Sequence, residues 1–204
     1  METTDRKPVQ TKTADARKEL ILQAALEVFS KKGFYAASID DIIAVAGIGK
    51  GTVYRYFDSK QALFLGVLEW GVTNLKEAIL AKTKNIENIV EKLRVGIITH
   101  LSFFEKHRNF YRVLIQEINP FRENVEKKFK EKYLIHLQLL EKQLQQGMEQ
   151  GLLKKINPGS AAQALLGMTN ALIYKWLMSN EDYSLQKEAD VIIEIFFKGI
   201  LIES

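Results

Sequence analysis

Ser38–Lys60 reads SIDDIIAVAGIGKGTVYRYFDSK. Ser38 with Asp41 three residues on has the form of a capping box, and Asp40 and Asp41 both suit the positive end of a helix dipole. Capping accounts for the two acids, so they are not read as a catalytic carboxylate pair. Ile39, Ile42, Ile43 and Val45 supply the apolar side of a short helix, Ala46-Gly47 ends it, and Ile48 plugs the turn. A second short helix is expected from about Lys50 to Phe57, held by Val53 and Phe57 with Tyr56 beside them. A short helix, a glycine turn and a second short helix is helix-turn-helix spacing. Lys50, Thr52, Tyr54 and Arg55 are left in the first turn or on the outward face, where hydroxyls and cations suit phosphate. Arg55 is the side chain best able to read a guanine edge in two places, and Gly51 removes a side chain where backbone would approach DNA.

Upstream, a helix is expected from about Ala14 to Lys32. Ile21, Ala25, Val28 and Phe29 give it one apolar stripe, widened by Leu22 and Leu26. Gly33 suits a left-handed cap, and Phe34 and Tyr35 are expected to turn back onto the core. Residues 1–13 read as a mobile arm carrying Arg6, Lys7 and Lys12. Downstream, Leu63 to Val72 is apolar almost all round, which implies burial between two bodies.

At this point the residues carry a resemblance. A helix ending KKGF, then S.DDIIA.AGI.KGTVY.YF.SK.AL, resembles the DNA-binding region of the TetR family of bacterial transcriptional regulators, over about Arg17 to Phe64. The resemblance implies an operator-binding dimer released from DNA by a small molecule held in the C-terminal domain. It puts Ser38, Thr52, Tyr54 and Lys60 at positions that usually hold phosphates. Lys50, Gly51 and Arg55 fall at positions that approach bases or the adjoining backbone. Gly49 departs from the family's usual Ser or Thr, which removes one cap or phosphate contact.

The rest of the chain reads as helices too. A polar stretch over residues 76–92 is expected to form a loop, with a helix start near Asn85. Ile89, Leu93, Ile97, Leu101 and Phe104 then form a stripe, with His100 and His107 seven apart on that helix. A metal pair would more naturally sit four apart, so no metal site is expected. Asn109–Gln116 is a short aromatic helix, and after Pro120 a long helix runs to about Gly147. Its stripe is Val125, Phe129, Tyr133, Leu137, Leu140, Leu144 and Met148, opposite a lysine-rich solvated face. Asn157-Pro158 starts a helix rich in Gly and Ala. The last helix, about Leu185 to Leu201, carries too much apolar surface for one buried face, so a C2 homodimer through the last two helices is expected.

The fold class is therefore all-α, with an arm at 1–13, a three-helix DNA-binding domain at 14–60 and an effector-binding and dimerisation domain at 61–204. Trp70, Phe103, Phe104, Phe110, Tyr111, Tyr133, Tyr174 and Trp176 are the candidate ligand-lining residues. GLLKKINP and NALIYKWLMSNEDYSL resemble the fatty-acid-metabolism branch of the family, which implies a hydrophobic effector such as a long-chain acyl-CoA. The expected partners are double-stranded operator DNA, that effector and a second copy of the chain.

Composition bounds the alternatives. With 204 residues, 47% apolar and 26% charged, the chain is an ordinary globular one. No cysteine is present, which removes thiol chemistry and suits the cytoplasm. No apolar run is long enough for a membrane span. There is no phosphate-binding glycine loop, so neither an enzyme nor a cofactor is indicated. Net charge is +4, with residues 1–60 holding 10 Lys/Arg against 8 Asp/Glu, so any grip on DNA rests on placement rather than bulk charge. A helical lipid-binding or protein-interaction module without sequence-specific DNA binding is the alternative. It leaves the Lys50–Arg55 cluster unexplained.

Overall fold

A computed structural model of the chain describes residues 8–117, 122–179 and 183–201, with residues 8–13, 116, 117, 122–134 and 136 described by backbone alone. Its elements in order are α1 (Pro8–Ala36), α2 (Ile39–Ala46), α3 (Lys50–Tyr56), α4 (Lys60–Thr83), α5 (Ile89–Lys106), α6 (Arg108–Glu117), α7 (Arg122–Glu149), α8 (Pro158–Met178), a 3-10 turn (Leu185–Glu188) and α9 (Ala189–Ile200). Among the described residues there is no β-strand. One isolated antiparallel bridge joins Leu153 to Leu201.

Several boundaries differ from expectation, each for a local reason. α1 begins at Pro8 rather than Ala14, so residues 8–13 belong to a helix and not to an arm. Proline is pre-organised for a first helical position. The helix is broken at Gly33 (φ 73°, ψ 167°) and resumes to Ala36. Phe34 does turn inward, stacking 5.9 Å from Phe29, but Tyr35 points out and is 70% exposed. α4 runs on through KEAILAKT to Thr83, because that polar stretch consists of good helix formers. The start expected near Asn85 falls instead at Asn88, whose Oδ1 accepts the Glu91 N–H at 3.0 Å. The Asn157 cap stands where expected, accepting the Ser160 N–H at 2.8 Å. The final helix divides, its first turn being 3-10.

The core is continuous from one end of the molecule to the other. α1 packs on α2, α4 and α6; α4 also packs on α5 and α7; α7 packs on α8; α9 closes on α5 and α8. α4 packs on α1 and on the later helices through one face, Leu63, Phe64, Val67, Leu68, Gly71 and Leu75, while Leu65, Trp70 and Val72, expected to be buried as well, are only half-buried. Phe64 meets Phe29 at 5.4 Å and Phe34 at 5.2 Å on one side. Further along, Gly71 lets the fully buried Phe110 ring of α6 lie against the α4 backbone. A Cβ at that glycine would stand 2.0 Å from the ring.

Gly71→Ala should destabilise the protein by about 1–3 kcal/mol, because an extra methyl has nowhere to go in a packed core. Thermal or urea unfolding of the variant checks this. The usual effect of Gly→Ala within a helix has the opposite sign.

Candidate functional site

The capping box at the start of α2 is complete. Ser38 Oγ accepts the Asp41 N–H at 3.0 Å, and Asp41 Oδ2 accepts the Ser38 N–H at 3.0 Å. Asp41 Oδ1 also takes a 2.7 Å bond from Lys32 Nζ. That lysine, and after it the Ser38 bonds, hold the Asp41 carboxyl down at about 2. Gly47 closes α2 in the left-handed region (φ 64°), with its N–H on the Ile43 carbonyl. Val45, read as part of the apolar side, is half exposed, and Ile42 is the buried member of that set.

α3 is pinned from beneath. Val53 and Phe57 are buried, and the Tyr56 hydroxyl donates to the Ala14 carbonyl of α1 at 3.2 Å. What remains faces out: Lys50, Gly51, Tyr54 and Arg55 are exposed and Thr52 is half-buried. Gly49 is the N-cap and supplies no side-chain cap bond, in keeping with the departure noted in the sequence. A Cβ at Gly51 would meet no protein atom within 4 Å. Internal packing therefore does not explain a glycine there. Lys50 Nζ donates to Asp40 Oδ1 at 3.0 Å, and this bond raises the lysine's pKa. Both side chains are exposed, so the pair is a weak tether that an arriving phosphate can replace. The Arg55 guanidinium lies 5.3 Å over the Tyr56 ring. Lys60, grouped with these residues in the sequence, does not turn outward with them. Its Nζ donates to the carbonyls of Phe34 at 2.8 Å, Tyr35 at 3.2 Å and Ala37 at 2.8 Å.

The second feature is a cavity of about 80 Å3 between α4, α5, α7 and α8. Its wall is mostly aliphatic, including Ile79, Leu93, Ile97, Leu140 and Leu166, with Gly96 opening onto it. Four polar side chains interrupt that wall: Lys76, His100, Gln143 and Thr169. An apolar wall with a few polar groups is the usual lining of a small-molecule site, but at about 80 Å3 this space is smaller than the ~300–1,000 Å3 such sites usually have.

The structure places none of the described aromatic candidates in this wall. Phe103, Phe104, Phe110 and Tyr111 are buried against one another, with Phe104 stacked on Phe110 at 6.1 Å and edge-on to Tyr111 at 5.1 Å. The Tyr111 hydroxyl donates to the Asn170 carbonyl at 2.9 Å, and burial, with Tyr174 nearby, pushes its pKa up to about 12. Trp176 is buried, donates to the Tyr183 carbonyl at 2.9 Å and carries the Arg108 guanidinium at 4.5 Å. Tyr174 is 51% exposed on the outer side of α8. Trp70 lies in a separate open groove between α1 and α4, where its indole N–H donates to the Glu19 carboxylate at 2.8 Å. The Tyr133 side chain, like those of Arg122, Lys127, Lys128, Lys130 and Lys132, lies outside the described residues. The residues that do line the cavity carry one weak signal in the sequence: His100 and Thr169 are polar residues on helix faces that are otherwise buried.

Two family models match the chain. "Bacterial regulatory proteins, tetR family" covers residues 21–67, and "Tetracyclin repressor-like, C-terminal domain" covers residues 87–200. A fatty acid metabolism regulator protein of Bacillus subtilis is 24% identical over 181 residues, spanning 88% of this chain and 93% of that one. The fold is shared with the solved structure of the regulator FadR from B. subtilis in complex with stearoyl-CoA. There the TM-score is 0.82 and the identity 24%, over 89% of this chain and 98% of that one. It is shared also with AibR in complex with isovaleryl coenzyme A and operator DNA, at a TM-score of 0.74 and 22% identity, over 88% and 97% of the two chains.

A carboxyl-detected NMR titration should place the Asp41 midpoint at about 2. Lys32→Met should move it up, toward the ordinary value near 3.8. A lowered folded-state value means the α2 cap is fully charged above that ordinary value and is lost as pH falls through about 2.

Proposed function

The chain belongs to the TetR family of bacterial transcriptional regulators, and from there we propose that it is a repressor which binds a near-palindromic operator as a homodimer and leaves it when an acyl-CoA enters and widens the α4–α8 cavity. The observation that carries the DNA half is the outward face of α3. Tyr54, at 43% exposed, stands there with Arg55, Lys50 and Gly51, although the helix is otherwise buried through Val53. In this reading Arg55 and Lys50 approach base edges or the adjoining backbone. Ser38, Thr52 and Tyr54 hold phosphates, and Gly51 lets the backbone come close. No helix of the described residues is long and apolar enough to cross a membrane. The cytoplasm is the compartment in which such a regulator meets DNA.

Two observations support the dimer. Met178 of α8 and Ile195 of α9 are 62% and 60% exposed, and Tyr174 and Val191 lie on the same two helices. Gly167 and Gly199 also face open space there, which allows a second copy's helices to approach closely. A C2 pair burying this face would set two α3 helices about 34 Å apart, one per successive major groove.

Support for the effector comes from the cavity's aliphatic wall with its few polar groups, and from relatives named for fatty acid metabolism or solved with a CoA thioester. The cavity is formed partly by Lys76, Ile79 and Leu80 of α4, the helix whose other end holds the DNA unit. A ligand shifts the balance only through a difference in affinity for the two arrangements of that helix.

Electrophoretic shift assays on the promoter of the protein's own gene test the DNA half. Wild type should bind at low salt and lose affinity steeply as salt rises. Tyr54→Ala and Arg55→Ala should each weaken binding by about tenfold or more. Gly51→Ala should leave stability unchanged or raise it by up to about 1 kcal/mol while weakening binding. Failure of wild type to bind any fragment of that promoter would favour the helical lipid-binding module instead.

For the effector half, stearoyl-CoA should release wild type from the same fragment. Gly96→Phe, which fills the cavity from α5, should bind the fragment and resist release. Equal release of both proteins would place the effector elsewhere.

A further inference from the structure

Lys60 is the first residue of α4, and its ammonium is fully occupied within the protein. A lysine has three N–H donors. Here they meet three backbone carbonyls: Phe34 and Ala37 at 2.8 Å, and Tyr35 at 3.2 Å. The same ammonium stands 4.5 Å over the Phe34 ring. These carbonyls lie just past Gly33, where the helical conformation of α1 is interrupted. A cation is favoured at such a carbonyl-rich helix end. Ala37 directly precedes Ser38, the cap from which α2 starts. One side chain therefore ties the start of α4 to the corner that launches α2, across 23 to 26 residues of sequence.

We infer that Lys60 is a positioning residue, a latch that fixes the α2–α3 unit to α4, and not one of the phosphate ligands. The inference rests on the DNA-binding reading of α3. A phosphate bond would require the ammonium to abandon at least one of its three acceptors. Held as it is, Lys60 makes any tilt of α4 pull on the corner beside Ser38. The second tie between these bodies, from Trp70 to Glu19, lies ten residues along α4 and restrains α1. Lys60 alone of the two reaches the chain segment that leads into the DNA-reading helices.

Salt-dependent operator affinity separates the two roles, because a phosphate ligand contributes to the counterion slope and a latch does not. Fluorescence anisotropy on the promoter fragment that wild type binds should show Lys60→Met weakening affinity roughly tenfold at every salt concentration. The slope of log Kd against log salt should match wild type, and Lys60→Arg should recover most of the affinity. A slope lower by about one in Lys60→Met would make Lys60 a phosphate ligand and overturn the inference. Unchanged affinity with a lowered Tm would make it a structural cap alone, and would overturn the inference equally. Lys60→Gln, which keeps two donors, supplies the same slope comparison should the methionine variant not fold. If wild type binds no promoter fragment, the DNA reading itself fails. Amide exchange then decides the latch: faster exchange at residues 34–38 in Lys60→Gln supports it, and wild-type exchange there overturns it.

Discussion

One helix has to serve as core for two bodies at once. α4 is 24 residues long, about 36 Å of rod at 1.5 Å per residue, and different lengths of it answer to different neighbours. Its first turns pack into the aromatic cluster of Phe29, Phe34 and Phe64 beneath the DNA unit. Its middle gives up a side chain at Gly71 so that Phe110 can seat α6 against it. Its last turns put Lys76, Ile79 and Leu80 into the wall of the cavity. A rod packed along its length cannot shift at one end without repacking the other, because a close-packed interior has few voids to absorb the movement. This shared burial is the physical content of a link between ligand and DNA. It is spatial continuity, and the energetic size of the link is a separate quantity.

The ties around that rod differ in strength and in kind. The Phe110 seat is steric and buried. The bond from Trp70 to Glu19 lies at the surface of the groove between α1 and α4 and is open to solvent. Beside it, His107 caps α5 with its ring 4.4 Å from Phe103 and 5.6 Å from Trp70. Partial burial and the neighbouring Lys106 lower the His107 pKa, against the opposing pull of Glu19, which favours a neutral ring at this junction. The α2–α3 face proposed to meet DNA is lightly charged. Asp40 and Asp41 sit among the cations and are engaged by Lys50 and Lys32. Affinity for an operator must then come from the placement of a few groups and from their doubling in a dimer.

The helix-turn-helix was legible because local chemistry determines it. Ser38 and Asp41 can close a capping box with each other alone, and Gly47 is the residue a left-handed turn calls for. The burial of α4 was legible in part: Leu63, Phe64, Val67 and Leu68 are buried, but Leu65 and Trp70, beside the α1–α4 groove, and Val72 are half-buried. The cavity was not. Aromatic residues were the natural candidates for a lipid site, yet rings as large as Phe104 and Phe110 fill space best against each other, and they became the core. The chamber lies instead where smaller aliphatic side chains of α4, α5, α7 and α8 fail to meet. Which neighbours leave a gap is decided by tertiary packing, and periodicity along one helix carries no record of it. Lys60 shows the same limit from the other direction. Its place in the motif suggests an outward cation, while its partners, the carbonyls just past Gly33, lie more than twenty residues away.

In the proposed mechanism, DNA and ligand act on two arrangements of one shared helix. Linkage requires the effect to be reciprocal: if the ligand weakens operator binding by some factor, the operator must weaken ligand binding by the same factor. Calorimetric titration of stearoyl-CoA into the protein, free and saturated with its operator fragment, measures this directly. Ligand binding should be weaker in the presence of operator, by the factor found when DNA affinity is measured with and without ligand. Equal ligand affinity in the two titrations would contradict it.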